Sequence, residues 1–414
     1  MTLSLGKVAK GVLNLGIGEF LARLCTIATI VLVGHRYGAA VVGVFTLGMT
    51  ISFYVQPVID FGLRHIGARL MAQYPHGGMR IMHRVQRRRL TMSAAVLPLT
   101  LAYALLAKLP AELKLWLFLF STTGSLYALS LEWAAWGKEK LRLVGASRAT
   151  GPLGILVALA VGWHSQRVLW WIMLGNAVGL VSQALIFRVW WTRLEHDENI
   201  TLEESRDIDD ALALRRTSVM ALSTFCTLAF SSIDMLMLGV MYNSAEVGIY
   251  SAAYRILNQV LVTYYLLTSV IYPHFARQTL ESRRRSLSPR ILLALAVSGV
   301  ILALLLAAIR RSAVLILFGS QFIGADKLLL ILIWAIPFDF VTSYLNAAFI
   351  AWGMEKKVLV CMSLAAGSNI VLNLMWIPRY GSVAAAINTI LCYAILLGSL
   401  AISGYTTKEL VLLS

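Results

Sequence analysis

The chain has 414 residues, of which 59% are hydrophobic and only 14% are charged, and its mean hydropathy is +0.76. So little polar surface cannot cover a globular protein of this length in water, and the composition therefore excludes a soluble fold. The formal net charge of +16 would suggest a nucleic-acid partner in a soluble protein, whereas in a membrane protein it reflects the basic loops that orient the chain.

Apolar segments of about twenty residues recur along the whole chain, and each is long enough to cross a hydrocarbon core of roughly 30 Å. Lipid permits only helices or closed barrels as spanning structures, and no strand-length alternation is present. We therefore expect an all-α polytopic membrane protein with about 12 transmembrane helices. In chain order the predicted spans are Gly11–Gly34, Ala39–Leu63, Leu90–Ala107, Leu115–Trp136, Val144–Trp163, Val168–Trp190, Thr217–Met241, Val247–Pro273, Ile291–Ile309, Leu328–Trp352, Val358–Ile377 and Val383–Tyr405.

Few charged residues of the first half fall inside these spans, where a charge costs at least a few kcal/mol and so marks a cavity or a partner. Glu19 and Arg23 are four residues apart on the first span, so they share a helix face and can neutralise each other. Arg23 is a candidate substrate-binding residue and Glu19 a candidate coupling or charge-tuning residue, although a purely structural pair fits the spacing equally well. Asp60 and Glu132 lie nearer span ends, where capping and snorkelling are commoner, and they rank second.

Lysines and arginines are distributed unequally between the two sides of the predicted topology. With a cytoplasmic N-terminus, the inner loops carry 26 of the 36 basic residues and the outer loops carry 8. This bias satisfies the positive-inside rule, so we expect both termini on the cytoplasmic side. The run Arg84, Arg87, Arg88 and Arg89 before the third span is interpreted as part of this signal and as an attractor of anionic lipid.

The two halves of the chain resemble each other. Gly34–Phe45 aligns without gaps with Gly239–Tyr250, and five of these twelve positions are identical. Two halves of six spans in one orientation are parallel repeats, with a site expected between them. We therefore predict an N-terminal six-helix lobe at residues 1–192, a solvated acidic cytoplasmic linker at 193–216 and a C-terminal six-helix lobe at 217–414.

In the second half, Asp234 and Arg255 are the charged residues placed well inside spans. Counted from the outer ends of spans seven and eight, their depths agree within about 3 Å, so two antiparallel helices could hold them side by side. Either the two residues form a structural ion pair, or Arg255 binds an anion and Asp234 tunes the charge of Arg255. Asp339 lies nearer a helix end and has second rank.

Four segments of the sequence form a recognisable series, namely Tyr37–Phe45, Asp234–Gly239, Val247–Arg255 and Asn373–Ala386. In this order and spacing they resemble the oligosaccharide flippases of the polysaccharide-transport family, in the multidrug/oligosaccharidyl-lipid/polysaccharide exporter superfamily. The resemblance covers nearly the whole chain. It implies two six-helix lobes around a central cavity, lined mainly by spans one, two, seven and eight.

The resemblance implies a flippase that translocates an undecaprenyl-pyrophosphate-linked oligosaccharide across the bacterial cytoplasmic membrane, by alternating access, for exopolysaccharide or O-antigen biosynthesis. Its expected partners are this glycolipid, membrane lipid and the glycan polymerase machinery, but no nucleic acid. The alternative is a cation-coupled multidrug or small-molecule antiporter; a membrane polysaccharide polymerase is disfavoured because the outer loops are short. Without a phosphate-binding loop or a metal-ligand motif, neither a cofactor nor a metal is expected, and the protein is not expected to be an enzyme.

Overall fold

A computed structural model of the chain describes residues 5–106, 111–194, 201–276, 278, 287 and 289–406. These residues form helices joined by short turns, with no β-strand among them, as the sequence predicts. The α-helices in chain order are α1 (Leu5–Asp60), α2 (Leu63–Gln73), α3 (Gly78–Leu106), α4 (Ala111–Ser125), α5 (Glu132–Gly137), α6 (Leu141–Arg148), α7 (Thr150–Val161), α8 (Val168–Thr192), α9 (Leu202–Ala211), α10 (Leu214–Met241), α11 (Ser244–Ala276), α12 (Pro289–Phe318), α13 (Gly324–Leu332), α14 (Ala335–Ala351) and α15 (Glu355–Thr406).

The two longest helices are each broken at a single glycine. Gly38 in α1 has φ 81° and Gly381 in α15 has φ 56°, and such positive values favour glycine because it lacks a Cβ atom. Each long helix therefore contains two predicted spans, the first and second in α1 and the eleventh and twelfth in α15. The other eight fall, in order, on α3, α4 with α5, α6 with α7, α8, α10, α11, α12, and α13 with α14.

Length and hydropathy agree with membrane-spanning helices. Seven stretches of described residues are long and apolar enough to cross a membrane, and α13 with α14, which meet at a bend of 43°, can form one more broken span. Two of the seven stretches are 47 and 50 residues long and contain the glycine breaks, so each has the length of two spans. The prediction of a polytopic all-helical membrane protein is confirmed.

The helices group into two compact units. Unit 1 comprises Met1–Val33 and Gly48–Phe225, and unit 2 comprises Gly34–Leu47 and Cys226–Ser414. The end of the first predicted span and the beginning of the second thus pack with the second half of the chain. The lobe boundaries drawn from the sequence stay a prediction.

The helix α9 lies in the stretch interpreted as a solvated linker, but it is folded onto unit 1. A reciprocal capping box begins it, in which the Thr201 hydroxyl accepts the Glu204 N–H at 3.2 Å and the Glu204 carboxylate accepts the Thr201 N–H at 2.9 Å. Ile208 and Leu212 are fully buried in the core of unit 1. Burying each such side chain contributes about 1.5–3 kcal/mol, so the interpretation as solvated chain is wrong for this helix. Residues 195–200 of the acidic stretch lie outside the described residues.

Unit 2 contains the sequence repeat as a symmetric helix crossing. A Cβ atom on Gly43 of α1 would collide with the carbonyl oxygen of Ser244, and a Cβ on Gly248 of α11 would collide with that of Ala39. Gly43 aligns with Gly248 and Ala39 with Ser244 in the repeat, so the two contacts are equivalent. Only glycine lets the two backbones approach this closely. The crossing of α1 and α11 therefore has the local twofold relation that parallel repeats predict.

Candidate functional site

The charged residues of unit 1 meet in one cluster. Glu19 Oε1 accepts a hydrogen bond from Arg23 Nη2 at 2.9 Å, one helical turn along α1. Glu19 Oε2 accepts from Arg148 Nη1 at 3.0 Å, and Arg148 also donates through Nε and Nη2 to Glu132 Oε1 at 3.1 and 3.0 Å. Trp136 Nε1 donates to the same oxygen at 3.2 Å. The predicted pair on α1 is therefore part of a four-charge network.

Close packing of α1 on α6 brings Arg148 to the first span. A Cβ atom on Gly18 would overlap the backbone of Gly145, so the two helices touch backbone to backbone. Glu19 follows Gly18, and Arg148 lies about one turn after Gly145. Arg148 is one of the 26 basic residues that the predicted topology assigns to the inner loops. The structure corrects this, because Arg148 is the last residue of α6 and is held inside unit 1.

The network of unit 1 has two arginines and two glutamates and therefore no net charge. The side chains of Arg23 and Arg148 are each 32% exposed, that of Glu19 is 34% exposed, and that of Glu132 is 8% exposed. Glu132 is thus a buried ion-pair partner and not a snorkelling residue. A partly exposed network can exchange one protein contact for a ligand without leaving a buried charge unpaired. Arg23 is best placed for this exchange, because its described partner is Glu19 alone.

The second-rank residue Asp60 belongs to a separate, buried ion pair. Asp60 Oδ1 lies 3.1 Å from Nε of Arg89, whose side chain is fully buried. Arg89 also donates to the carbonyl oxygens of Ser130 at 2.6 Å and Tyr127 at 3.1 Å. Asp60 Oδ2 accepts the Arg64 N–H at 3.1 Å near the start of α2, which is a capping contact of the kind expected. The interpretation of Arg89 as part of a surface charge signal is wrong.

Asp234 and Arg255, both in unit 2, do not form the predicted ion pair. Arg255 Nη2 donates to Thr46 Oγ1 at 3.4 Å, and its Nε is buried without a hydrogen-bond partner. Thr46 also bonds Ser251, its equivalent in the repeat, at 3.3 Å. Within the part of the chain that the structure describes, no carboxylate lies at ion-pair distance from Arg255. Most of its donors are therefore unused.

Asp234 is held instead by the Tyr250 hydroxyl of α11 and by a backbone N–H of its own helix. The Tyr250 hydroxyl donates a short hydrogen bond to Asp234 Oδ2, and the Met235 N–H donates to Oδ1 at 2.9 Å. Tyr250 also shares a hydrogen bond of 3.2 Å with Thr389 of α15. With 2% of its surface exposed, Asp234 is a buried carboxylate bonded by one hydroxyl and one backbone N–H, and among the described residues it has no cationic partner.

Asp339 lies inside α14 and not at a helix end, so the expected capping or snorkelling explanation does not apply to it. Ser343 Oγ donates to Asp339 Oδ1 at 3.3 Å, and the Tyr393 hydroxyl bonds the same carboxylate. Unit 2 thus contains two carboxylates satisfied by hydroxyl groups. Among the described residues, no group of three or more His, Cys, Asp or Glu side chains could hold a metal ion.

Sequence reasoning missed Arg148, Arg89 and Tyr250 as members of these networks. A signal for Arg89 was present, because it follows Ile81 and Val85 at four-residue steps and so continues the buried face of α3. Tyr250 has no comparable signal. Its contact with Asp234 joins two helices whose rotation the sequence does not give.

One family model and several solved structures are similar to the chain. Residues 152–279 match the model of a family described as Polysaccharide biosynthesis protein. No curated protein sequence matches the chain significantly.

The similar solved structures are those of a flippase and of transporters, not of enzymes. The lipid II flippase MurJ, in an inward closed conformation, superposes with a TM-score of 0.71 at 14% identity, over 95% of this chain and 88% of that chain. An inward-facing multidrug resistance MATE family transporter superposes with a TM-score of 0.64 at 14% identity, over 96% of this chain and 98% of that chain. A MOP superfamily transporter from Pyrococcus furiosus superposes with a TM-score of 0.57 at 14% identity, over 95% of this chain and 94% of that chain.

These matches confirm the resemblance found in the sequence. The chain therefore has the fold of the MOP superfamily transporters, and its residues 152–279 carry the sequence pattern of the polysaccharide biosynthesis family.

Proposed function

We propose that the protein is a flippase that moves an undecaprenyl-pyrophosphate-linked oligosaccharide across the bacterial cytoplasmic membrane by alternating access, for surface polysaccharide biosynthesis. The observation that carries this proposal is Arg255, a half-buried arginine that has one hydroxyl contact among the described residues and whose buried Nε has no hydrogen-bond partner. A cation within a membrane span that has no carboxylate partner among the described residues is costly, and it is explained if an anion meets it during the transport cycle. The fold of a lipid II flippase and the matched family support a glycolipid as that anion.

A pyrophosphate group has the chemistry that Arg255 and Arg23 can bind. Its oxygens accept hydrogen bonds from a planar guanidinium in pairs, which a point charge such as lysine cannot reproduce. Arg23 can exchange its contact with Glu19 for a phosphate oxygen. Arg148 keeps Glu19 paired during such an exchange, because it bonds the other oxygen of the same carboxylate. The same proposal implies that a glycan polymerase consumes the flipped product.

Asp234 and Glu19 are the proposed coupling or charge-tuning residues. Asp234 is buried and is bonded by the Tyr250 hydroxyl, so a proton or a cation at its carboxylate would change the net charge of the interior of unit 2. This carboxylate also favours the second candidate function, a cation-coupled antiporter of drugs or small molecules, whose fold the chain shares. Arg255 separates the two functions, because a cation with no carboxylate partner among the described residues would repel a cationic drug.

Lipid analysis of a strain that lacks the gene tests this function. We expect one pyrophosphate-linked oligosaccharide to accumulate, surface glycan to disappear, and the wild-type gene to restore both. Mass spectrometry of extracted glycolipids identifies the sugar. Sensitivity to cationic drugs without any accumulated glycolipid would instead support the antiporter.

The orientation of the chain is a further part of the proposal, with both termini in the cytoplasm. In a variant lacking the four native cysteines, a single cysteine at Asp197 and one at Ser244 should react with a membrane-impermeant thiol reagent from opposite sides. Ser244 begins α11, whereas Asp197 lies outside the described residues. We expect outside labelling at Ser244 only. Labelling of both positions from the outside would contradict the topology.

A further inference from the structure

Three arginines near the beginning of α3 line a surface cavity of about 320 Å³ together with Thr91 and Met92. Arg84, Arg87 and Arg88 are spaced by three and four residues, so they lie on one face of the helix. Arg84 is half-buried, and the other two are exposed. Three guanidinium groups therefore converge on one cavity.

The neighbouring helix α9 neutralises only part of this charge. Arg84 forms an ion pair with Asp209, and Arg88 donates to the carbonyl oxygen of Leu212. Arg87 has no side-chain partner within the described part of the chain. Among the described residues one carboxylate therefore faces three guanidinium groups, and the cavity keeps an excess of positive charge and of unused donors.

The same face of α3 continues away from the arginines as an exposed apolar stripe. Met92 is 38% exposed, Leu99 68%, Tyr103 55% and Leu106 83%. At 1.5 Å per residue, Leu99 lies about 16 Å along the helix from Arg88, which is about the depth of one leaflet of the hydrocarbon core. The arginines thus stand at one end of a surface on which an acyl chain can lie.

We propose that this cavity binds the phosphate headgroup of an anionic membrane phospholipid, whose acyl chains lie along the exposed stripe of α3. Free phosphate offers the same acceptor oxygens but has no acyl chain that could lie along the stripe, so the geometry favours a phospholipid. The headgroup competes with Asp209 for Arg84, and its binding is therefore linked to the ion pair that fastens α9. The site is distinct from Arg23 and Arg255 and does not depend on which substrate is transported.

The test measures lipid binding to the purified full-length protein in neutral detergent, by native mass spectrometry with added phosphatidylglycerol or phosphatidylcholine. We expect preferential retention of phosphatidylglycerol. Arg87→Gln removes a charge that has no protein partner, so the fold should be kept while headgroup affinity falls about fivefold. In the triple variant Arg84→Gln/Arg87→Gln/Arg88→Gln, the affinity for phosphatidylglycerol should fall about 100-fold. Asp209→Asn should bind phosphatidylglycerol more tightly than the wild type, because Arg84 loses its competing carboxylate.

The charge-matched control is Arg142→Gln/Arg188→Gln/Arg193→Gln, which removes three exposed arginines of unit 1 outside the cavity. This control should bind phosphatidylglycerol as the wild type does. The proposal is overturned if Arg87→Gln and the triple variant retain phosphatidylglycerol like the control, or if phosphatidylcholine binds equally well. Protection from heat unfolding by inorganic phosphate to the same extent as by phosphatidylglycerol would assign the cavity to a small anion and refute the lipid.

Discussion

Replacing Arg255 with alanine is expected to lower glycolipid transport by at least about 100-fold, because a charge-assisted, paired hydrogen bond to phosphate is lost. Thr46 is its described hydrogen-bond partner, at 3.4 Å, so the protein itself loses little in the exchange. Normal membrane abundance is therefore expected for the variant. Lysine at this position should rescue part of the activity, since it keeps the charge but not the planar fork. Export of surface glycan, normalised to protein abundance, measures the effect.

Arg311→Ala is the matched control, because Arg311 is an exposed arginine of α12 in the same unit. It should transport like the wild type. Since Arg255 and Asp234 do not pair, Arg255→Ala/Asp234→Ala should be no more active than Arg255→Ala. Recovery of export in the double variant would show that the two charges serve each other, and it would rule out phosphate binding as the role of Arg255.

Replacing Arg89 with methionine is expected to destabilise unit 1 by about 3–5 kcal/mol, because it leaves the buried carboxylate of Asp60 without its cation. In the same substitution the Ser130 carbonyl oxygen loses the donor from Arg89, while the Tyr127 carbonyl oxygen loses one donor and keeps the Ser130 N–H at 3.1 Å. A lower midpoint of thermal unfolding in detergent and a lower membrane abundance should follow. Arg87→Met is the matched control, since Arg87 is exposed two residues away, and its unfolding midpoint should stay close to that of the wild type.

A double variant identifies the cause of the loss. Arg89→Met/Asp60→Asn removes the stranded charge and keeps an acceptor for the Arg64 N–H, so it should be more stable than Arg89→Met alone. A double variant no more stable than Arg89→Met would show that packing, and not the unpaired carboxylate, explains the effect.

Some site residues were predictable because their partners are local in sequence. Glu19 and Arg23 pair across one helical turn, as their spacing predicts, and the aligned glycines Gly43 and Gly248 lie at equivalent places in the crossing of α1 and α11. Arg255 and Asp234 show the opposite case. Their depths along two helices were read from the sequence, but side-by-side contact also requires that both side chains point towards each other.

Hydropathy and the spacing of residues along single helices are enough to predict the lipid environment, the helical class, the approximate position of each span, the repeat and the local pair on α1. The tertiary structure was needed to find the contacts of Arg148 with Glu19, of Arg89 with Asp60 and of Tyr250 with Asp234, and the docking of α9. These contacts join residues far apart in the chain. They depend on how each helix is rotated about its axis and where two helices cross, which side-chain packing settles and local spacing does not encode.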